Sequence, residues 1–199
     1  MPDLARSIER HYADPSGELD HWVQRFLRQG RPTETGTLLM TLTYAIKEGL
    51  FYERRAARGT QSPLETLASR RGSCRDFATL MMEAARVLGF AARFVSGYVY
   101  VPDRDTGGSY LGGGSTHAWC QLYLPGAGWV EFDPTNGIVG NRDLIRVAVA
   151  REARQAMPLH GSYFGDAADA EGMAVSVNVR RLPEREPLTA HEVDGSDQK

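Results

Sequence analysis

Cys74 is the residue in this sequence whose surroundings best fit it for chemistry. Gly72 permits a tight turn, Ser73 is a good helix N-cap, and Asp76 completes a capping box. This pattern predicts a helix that begins at Cys74 and ends at about Leu88. A thiolate there would feel the positive end of the helix dipole, and a cysteine so placed tends to have a lowered pKa. This stretch alone leaves open a second interpretation, a small buried core residue after a turn.

A histidine and an aspartate on the next predicted strands could complete a nucleophilic site. His117 lies on one strand and Asp133 on the following one, and a cysteine nucleophile needs a base and a group that orients it. If Leu124 pairs with Gly128, Asp133 lies on the same face as His117, whereas a shift of one residue turns it away. A three-residue loop with a bulge at Gly128 produces the first register, and the sequence predicts this hairpin.

Each of these residues also has an ordinary interpretation. A lone histidine at the start of a strand is more often a surface or core residue, and Asp133 before Pro134 is a common turn former. Cys120 faces away from His117 and is expected to be structural. No metal site or cofactor is predicted, because the remaining histidines have no partner at ligand spacing; they are His11, His21, His160 and His191.

Composition restricts the broad class of protein. The 199 residues suit one large domain or two small ones, and 42% hydrophobic with 24% charged residues is ordinary for a globular protein. A net charge of -2 gives no reason to expect nucleic acid or an anionic membrane as a partner. Two cysteines are too few for a disulfide framework. With no apolar leader and no run of 18 apolar residues, the expected location is cytoplasmic.

The order of periodic segments predicts an α+β fold. Helical spacing and capping residues come first, at about residues 4–12, 18–29, 34–48 and 74–88, with a further short helix that starts at 62–65 and leads to Gly72. Two-residue alternation follows, with strands predicted at 91–101, 116–124, 128–132, 143–150 and 173–180. Residues 51–52 are expected to open a charged loop. We expect one domain over residues 1–181 and a disordered tail over 182–199, where apolar residues are few.

Four segments together resemble the core of the bacterial transglutaminase-like superfamily, whose members are often described as proposed cysteine proteases. They are GSCRDFA at 72–78, RFVSGY at 93–98, HAW at 117–119 and GWVEFDPTNG at 128–137. The resemblance covers about residues 33–137. It implies a papain-like core with N-terminal helices and the cysteine helix packed on an antiparallel sheet. It also implies Cys74 as nucleophile, His117 as general base and acid, and Asp133 as the residue that orients the imidazole.

Two departures from this branch affect the interpretation. Its members usually have Gln where this chain has Arg75, and they usually carry an N-terminal β-rich region where this chain begins with helices. The second departure suggests a core-only protein or a fragment.

The function that these residues favour is thiol-dependent acyl transfer on a peptide or protein substrate. Hydrolysis is preferred, because water needs no second binding site. The alternatives are transfer to an amine, as in a transglutaminase, and a non-catalytic binding module that keeps the fold. Tyr98 and Trp119 are expected to contact substrate, with a core role left open. The oligomeric state is also left open.

Overall fold

The computed structural model describes residues 2–55, 59–100 and 115–157, together with isolated positions at 161, 164–166, 168, 176–177 and 179. In this part of the chain the helices are α1 (Pro2–Ile8), α2 (Glu18–Gln24), α3 (Thr35–Gly49), α4 (Pro63–Ser69) and α5 (Cys74–Val87), with a 3₁₀ turn at Ala153–Ala156. The strands are β1 (Phe51–Tyr52), β2 (Arg71–Gly72), β3 (Ala92–Val99), β4 (His117–Leu124), β5 (Gly128–Asp133), β6 (Ile138–Val139) and β7 (Leu144–Ala150).

Five of the strands form one antiparallel sheet in the order β6-β5-β4-β3-β7, and β1 pairs with β2 in parallel. Helices precede the sheet along the chain, so the predicted α+β class is confirmed. The predicted hairpin register is also confirmed. Leu124 pairs with Gly128, the Ala127 N–H donates to the Leu124 carbonyl at 3.0 Å, and Gly128 has a φ of +77°.

Helix α5 lies at the centre of the fold. One side packs on β3 and β4, where Phe94, Cys120 and Leu122 are buried, and other sides contact α2, α3 and α4. The helix is therefore enclosed almost all round, and even Glu83 and Arg86 are buried on it as an ion pair at 2.6 Å. Arg86 also donates to the Ala92 carbonyl, which ties the end of the helix to the start of β3.

Local capping signals explain where most helices begin. The Ser62 side chain accepts from the Glu65 N–H and the Glu65 carboxylate accepts from the Ser62 N–H, which is the predicted capping box of α4. The Glu34 side chain caps α3 by accepting from two backbone N–H groups. Helix α2 is shorter than predicted, because from Phe26 onward the N–H groups bond three residues back and tighten the chain into turns.

The sequence did not predict β1, β2 or β6, because two residues are too few to show a period. Gly72 is not the predicted tight turn. Gly72 lies in β2 and pairs with Tyr52 of β1. A Cβ atom at position 72 would lie 2.9 Å from the Asp76 Cβ and 3.1 Å from a ring carbon of Phe77. Glycine is needed at this position because the first turn of α5 packs directly against it.

Some predictions fall on residues that the structure does not describe. The strand predicted at 173–180 lies largely outside the described residues, and its described positions, Ser176, Val177 and Val179, are not in a strand. The tail at 182–199 lies wholly outside them, and so does the end of the predicted domain. No described helix is long and apolar enough to cross a lipid bilayer.

Replacing Gly97 with alanine should destabilise the sheet strongly. A Cβ there would lie 2.0 Å from the Ile145 carbonyl oxygen and 2.7 Å from Cη2 of Trp119, so the backbone of β7 has to move. We expect Gly97→Ala to lower the free energy of unfolding in urea by about 2 to 4 kcal/mol. Gly49→Ala is the matched control, since nothing lies within 4 Å of its Cβ position. Equal stability of the two variants would contradict this packing.

Candidate active site

Cys74 occupies the first position of α5 and is 8% exposed. The helix start is held by the buried Asp76 carboxylate, whose Oδ2 accepts from both the N–H and the hydroxyl of Ser73 at 2.8 Å. Its Oδ1 accepts from the Gln61 N–H at 2.7 Å and from Arg55 Nη1 at 2.9 Å. The predicted helix-start role of Asp76 is confirmed. The Cys74 N–H lies in the first turn, where the helix offers it no carbonyl partner.

His117 and Asp133 form a buried pair at the end of the sheet. His117 Nε2 donates to Asp133 Oδ2 at 2.8 Å, and both side chains are fully buried. This bond leaves Nδ1 as the nitrogen for a reacting group, and Nδ1 is buried without a hydrogen-bond partner among the described residues. The hairpin explains the juxtaposition. Cys120 pairs with Phe132, so the register, carried one residue further, places Asp133 on the face of His117.

The charge of the imidazole follows from its neighbours. Burial by itself lowers the pKa of His117, but the charge and hydrogen bond of Asp133, together with the Cys74 sulfur, raise it to about 10. His117 is therefore protonated at neutral pH, with a proton on Nδ1 as well as on Nε2. Burial raises the pKa of the Cys120 thiol well above its usual value, which agrees with the structural role predicted for it.

Asp133 is held by the turn that follows it. Its Oδ1 accepts from the Thr135 N–H at 2.9 Å, and Asn136 Nδ2 donates to its Oδ2 at 2.8 Å. Asn136 Nδ2 also lies 3.4 Å from His117 Nε2. Sequence reasoning missed Asn136, although an Asp-Pro-Thr-Asn turn is a recognisable signal. Asp133 is thus both the first residue of this turn and the hydrogen-bond partner of the imidazole.

Trp119 and Tyr98 lie outside the cavity that contains Cys74. The Trp119 ring is fully buried, stacks on His117 at 5.9 Å between centroids, and donates from Nε1 to Glu131 at 3.2 Å. Tyr98 lies near the end of β3, opposite Ile145. Neither is among the described residues that line the cavity. The substrate contacts expected of these two residues stay a prediction. The burial of Trp119 matches the alternative role in the core that the sequence had left open.

The cavity has a volume of about 390 Å³ and contains both Cys74 and His117 in its wall. It is also lined by Phe94, Ser96 and Ala118 of the sheet and by Ala153 and Ala156 of the 3₁₀ turn. Its polar wall includes Arg75, which the sequence had singled out beside Cys74, together with Tyr52, Arg54 and Arg55, which sequence reasoning missed. No local pattern indicated those three residues, because they reach the site through the pairing of β1 with β2.

The structure thus brings Cys74, His117 and Asp133 to one end of the sheet. In the described part of the chain, no three side chains of His, Cys, Asp or Glu converge as a metal site. The arrangement offers a thiol at a helix N-terminus, an imidazole with one nitrogen held by a carboxylate, and a cavity beside them. Chemically, this set can activate a sulfur nucleophile and deliver a proton to a leaving group.

Comparison with known proteins identifies the family. Residues 20–134, more than half of the chain, match the Transglutaminase-like superfamily. The chain belongs to this superfamily. It is 37% identical over 121 residues to the uncharacterized protein ML0607 of Mycobacterium leprae, a match that covers 61% of this chain and 42% of that protein. It therefore spans about two fifths of the length of this relative.

Solved structures show the same fold. A proposed cysteine protease from Cytophaga hutchinsonii has a TM-score of 0.59 and 23% identity, over 78% of this chain and 50% of that one. The periplasmic domain of TgpA from Pseudomonas aeruginosa has a TM-score of 0.51 and 21% identity, over 68% of this chain and 48% of that one. The predicted transglutaminase-like core is thereby confirmed.

Alkylation of Cys74 measures whether the thiol and imidazole act together. We expect iodoacetamide to alkylate Cys74 rapidly at pH 6, where an ordinary thiol with a pKa of about 8.5 is almost wholly protonated. The rate should fall by at least tenfold in His117→Ala, and Cys120 in the same sample should stay unreactive. The measurement is the alkylation rate of each cysteine, followed by mass spectrometry from about pH 4 to about pH 10. Slow alkylation that follows ordinary thiol titration would mean that the pair is not assembled.

Proposed function

We propose that this protein catalyses acyl transfer from amide substrates through Cys74, His117 and Asp133, with water as the usual acceptor. It would then act as a cysteine peptidase or amidase on peptide or protein substrates. The observation that carries the proposal is the buried bond from His117 Nε2 to Asp133 at 2.8 Å, which leaves Nδ1 for the sulfur. Membership of the superfamily supports a papain-like thiol chemistry of this kind.

The reaction begins with the Cys74 thiolate attacking the carbonyl carbon of the amide. The carbonyl π electrons move to oxygen, which gives a tetrahedral oxyanion bound to sulfur. The C–N bond then breaks as His117 Nδ1–H transfers its proton to the leaving nitrogen, and a thioester remains on Cys74. Water attacks the thioester with His117 Nδ1 accepting its proton, and the acid product leaves as the thiolate re-forms. Asp133 keeps the ring oriented throughout.

The oxyanion requires donors that are in place before the reaction. The Cys74 N–H at the start of α5 is one. We assign the second to the hydroxyl of Tyr52, a residue that lines the same cavity as Cys74. Burial first, and then the negative charge of Cys74, raises the pKa of Tyr52, so its hydroxyl keeps the proton that it would donate. The ring packs edge-on against Phe77 at 6.4 Å, and Tyr52 pairs with Gly72, two residues before the nucleophile.

Tyr52→Phe tests this assignment. Loss of one oxyanion donor typically lowers kcat by about 10²- to 10³-fold with little change in KM. Alkylation of Cys74 by iodoacetamide passes through no oxyanion, so its rate should be unchanged in the variant. Tyr123→Phe is the matched control, since Tyr123 lies at the far end of β4 against Trp129. A slower alkylation together with a lower kcat would show that Tyr52 acts on the cysteine itself.

The acyl acceptor can be determined with a glutamine-containing peptide and a primary amine. We expect ammonia release to exceed amine incorporation, because water reaches the thioester without a second binding site. Both should vanish in Cys74→Ala and persist in Cys120→Ala. Amine incorporation in excess of hydrolysis would replace the peptidase assignment with a transglutaminase, while leaving the roles of Cys74 and His117 intact.

A further inference from the structure

The indole of Trp119 packs against the imidazole of His117. The two residues are separated by one position on β4 and therefore share a face of the sheet. Their ring centroids lie 5.9 Å apart, with the planes inclined by 27°. The Trp119 side chain is fully buried, and its Cη2 end faces Gly97, where an added Cβ would lie only 2.7 Å away. The indole therefore has little room to move, and its position limits the tilt of the imidazole.

The nitrogen of the same indole ends a hydrogen-bond chain that crosses three strands. Trp119 Nε1 donates to Glu131 Oε2 at 3.2 Å, and Gln121 Nε2 donates to Glu131 Oε1 at 2.8 Å. Gln121 Oε1 in turn accepts from Arg93 Nε at 2.6 Å. Glu131 and Gln121 are both buried. The chain thus joins β3, β4 and β5 and ends at the ring that packs on His117.

The chemistry of this chain calls for a carboxylate at position 131. Arginine and tryptophan side chains only donate hydrogen bonds, so the chain has a donor at each end. The Gln121 amide accepts one N–H and donates another, so residue 131 has to accept from both Gln121 and Trp119. A carboxylate does this with its two oxygens, whereas a glutamine would turn its NH₂ group toward one of the two donors. Arg146 Nε, 3.4 Å from Glu131 Oε1, is a further donor facing the same group.

We propose that Glu131 is a positioning residue for the acyl-transfer reaction, which acts through Trp119 to hold the His117 imidazole in its reactive orientation. This role rests on the proposed function, because it concerns the same imidazole. Asp133 fixes His117 at Nε2, but one hydrogen bond still allows the ring to rock about that atom. The face of the indole limits this rocking and so directs Nδ1. A displacement of about 1 Å at a reacting group can lower a rate by about 100-fold.

Glu131→Gln tests this role through the pH dependence of alkylation. Loss of the bond to Trp119 should weaken the pairing of the imidazole with the Cys74 thiol, so that the thiolate forms only at higher pH. We expect the rate of Cys74 alkylation by iodoacetamide to fall about tenfold at pH 6 and to change little at pH 9, where an ordinary thiol is itself largely ionised. Glu48→Gln is the control with the same change of charge, because Glu48 is exposed on α3.

Turnover of an amide substrate should show the same effect as a change in kcat. Glu131 is not among the described residues that line the cavity with Cys74. We therefore expect Glu131→Gln to lower kcat about tenfold with little change in KM. A higher KM with an unchanged kcat would contradict a positioning role.

Trp119→Phe separates the hydrogen bond from the charge of Glu131. Phenylalanine keeps an aromatic ring beside His117 but has no N–H to donate. If Glu131 acts through that N–H, adding Glu131→Gln to Trp119→Phe should change the pH 6 rate by less than about twofold. A double variant slowed by the product of the two single effects would overturn the proposal, because Glu131 would then act independently of the indole.

Exchange of the His117 ring N–H with solvent measures the restraint without using the nucleophile. In protein labelled with ¹⁵N-histidine, the Nε2 proton should exchange at least about fivefold faster in Glu131→Gln, and no faster in Glu48→Gln. Its signal is assigned by its loss in His117→Ala. An unchanged exchange rate would overturn the proposal.

These measurements distinguish failure of this proposal from failure of the proposed function. Slow alkylation of Cys74 at pH 6 in the unmodified protein would contradict the activated nucleophile, and the exchange rate of the His117 proton would still decide whether Glu131 restrains the ring. Rapid alkylation that Glu131→Gln leaves unaltered would overturn the role of Glu131 and leave the nucleophile standing. If Glu131→Gln does not fold, Trp119→Phe by itself should show the slower alkylation at pH 6 and the faster exchange, and unchanged values of both would overturn the proposal.

Discussion

The hydrogen bond from His117 Nε2 to Asp133 Oδ2 is the contact on which the rest of the site depends. Both side chains are buried, so removing either partner would leave an uncompensated charge at a cost of about 3 to 5 kcal/mol. The turn after Asp133 donates three further hydrogen bonds to the carboxylate, from the Thr135 N–H, the Asn136 N–H and the Asn136 side-chain amide. Trp119 stacks behind the imidazole and is itself held by Glu131. The ring can therefore adopt one orientation, with Nδ1 directed away from Asp133.

A second buried carboxylate, Asp76, positions the other half of the site. It accepts from Ser73, Gln61 and Arg55, and so joins the first turn of α5 to the loop that precedes α4. Cys74 follows Ser73 directly and is positioned by the same contacts. Cys74 and His117 thus come from distant parts of the chain, and each is positioned by a buried aspartate that accepts several hydrogen bonds.

The pairing of β1 with β2 is short but has a large consequence for the cavity. It places Tyr52 across from Gly72, close to the start of α5, and brings Arg54 and Arg55 into the wall beside Cys74. The oxyanion donor proposed above depends on this contact. A two-residue strand contributes little to stability by itself. Its main effect is to position Tyr52 and the residues that follow it beside Cys74.

The sequence by itself determined the parts of this protein that rest on local chemistry. Capping residues indicated the start of α5 at Cys74, and loop length with strand parity placed His117 and Asp133 on one face, because a hairpin register is set within a few residues of its turn. Only the tertiary structure decided that α5 is enclosed on most of its sides, that Trp119 is buried against the imidazole, and that Tyr52 reaches the cavity. These features depend on how separate elements pack together, and Tyr52 reaches the cavity through a two-residue strand that is too short to show a period, so no local pattern could predict them.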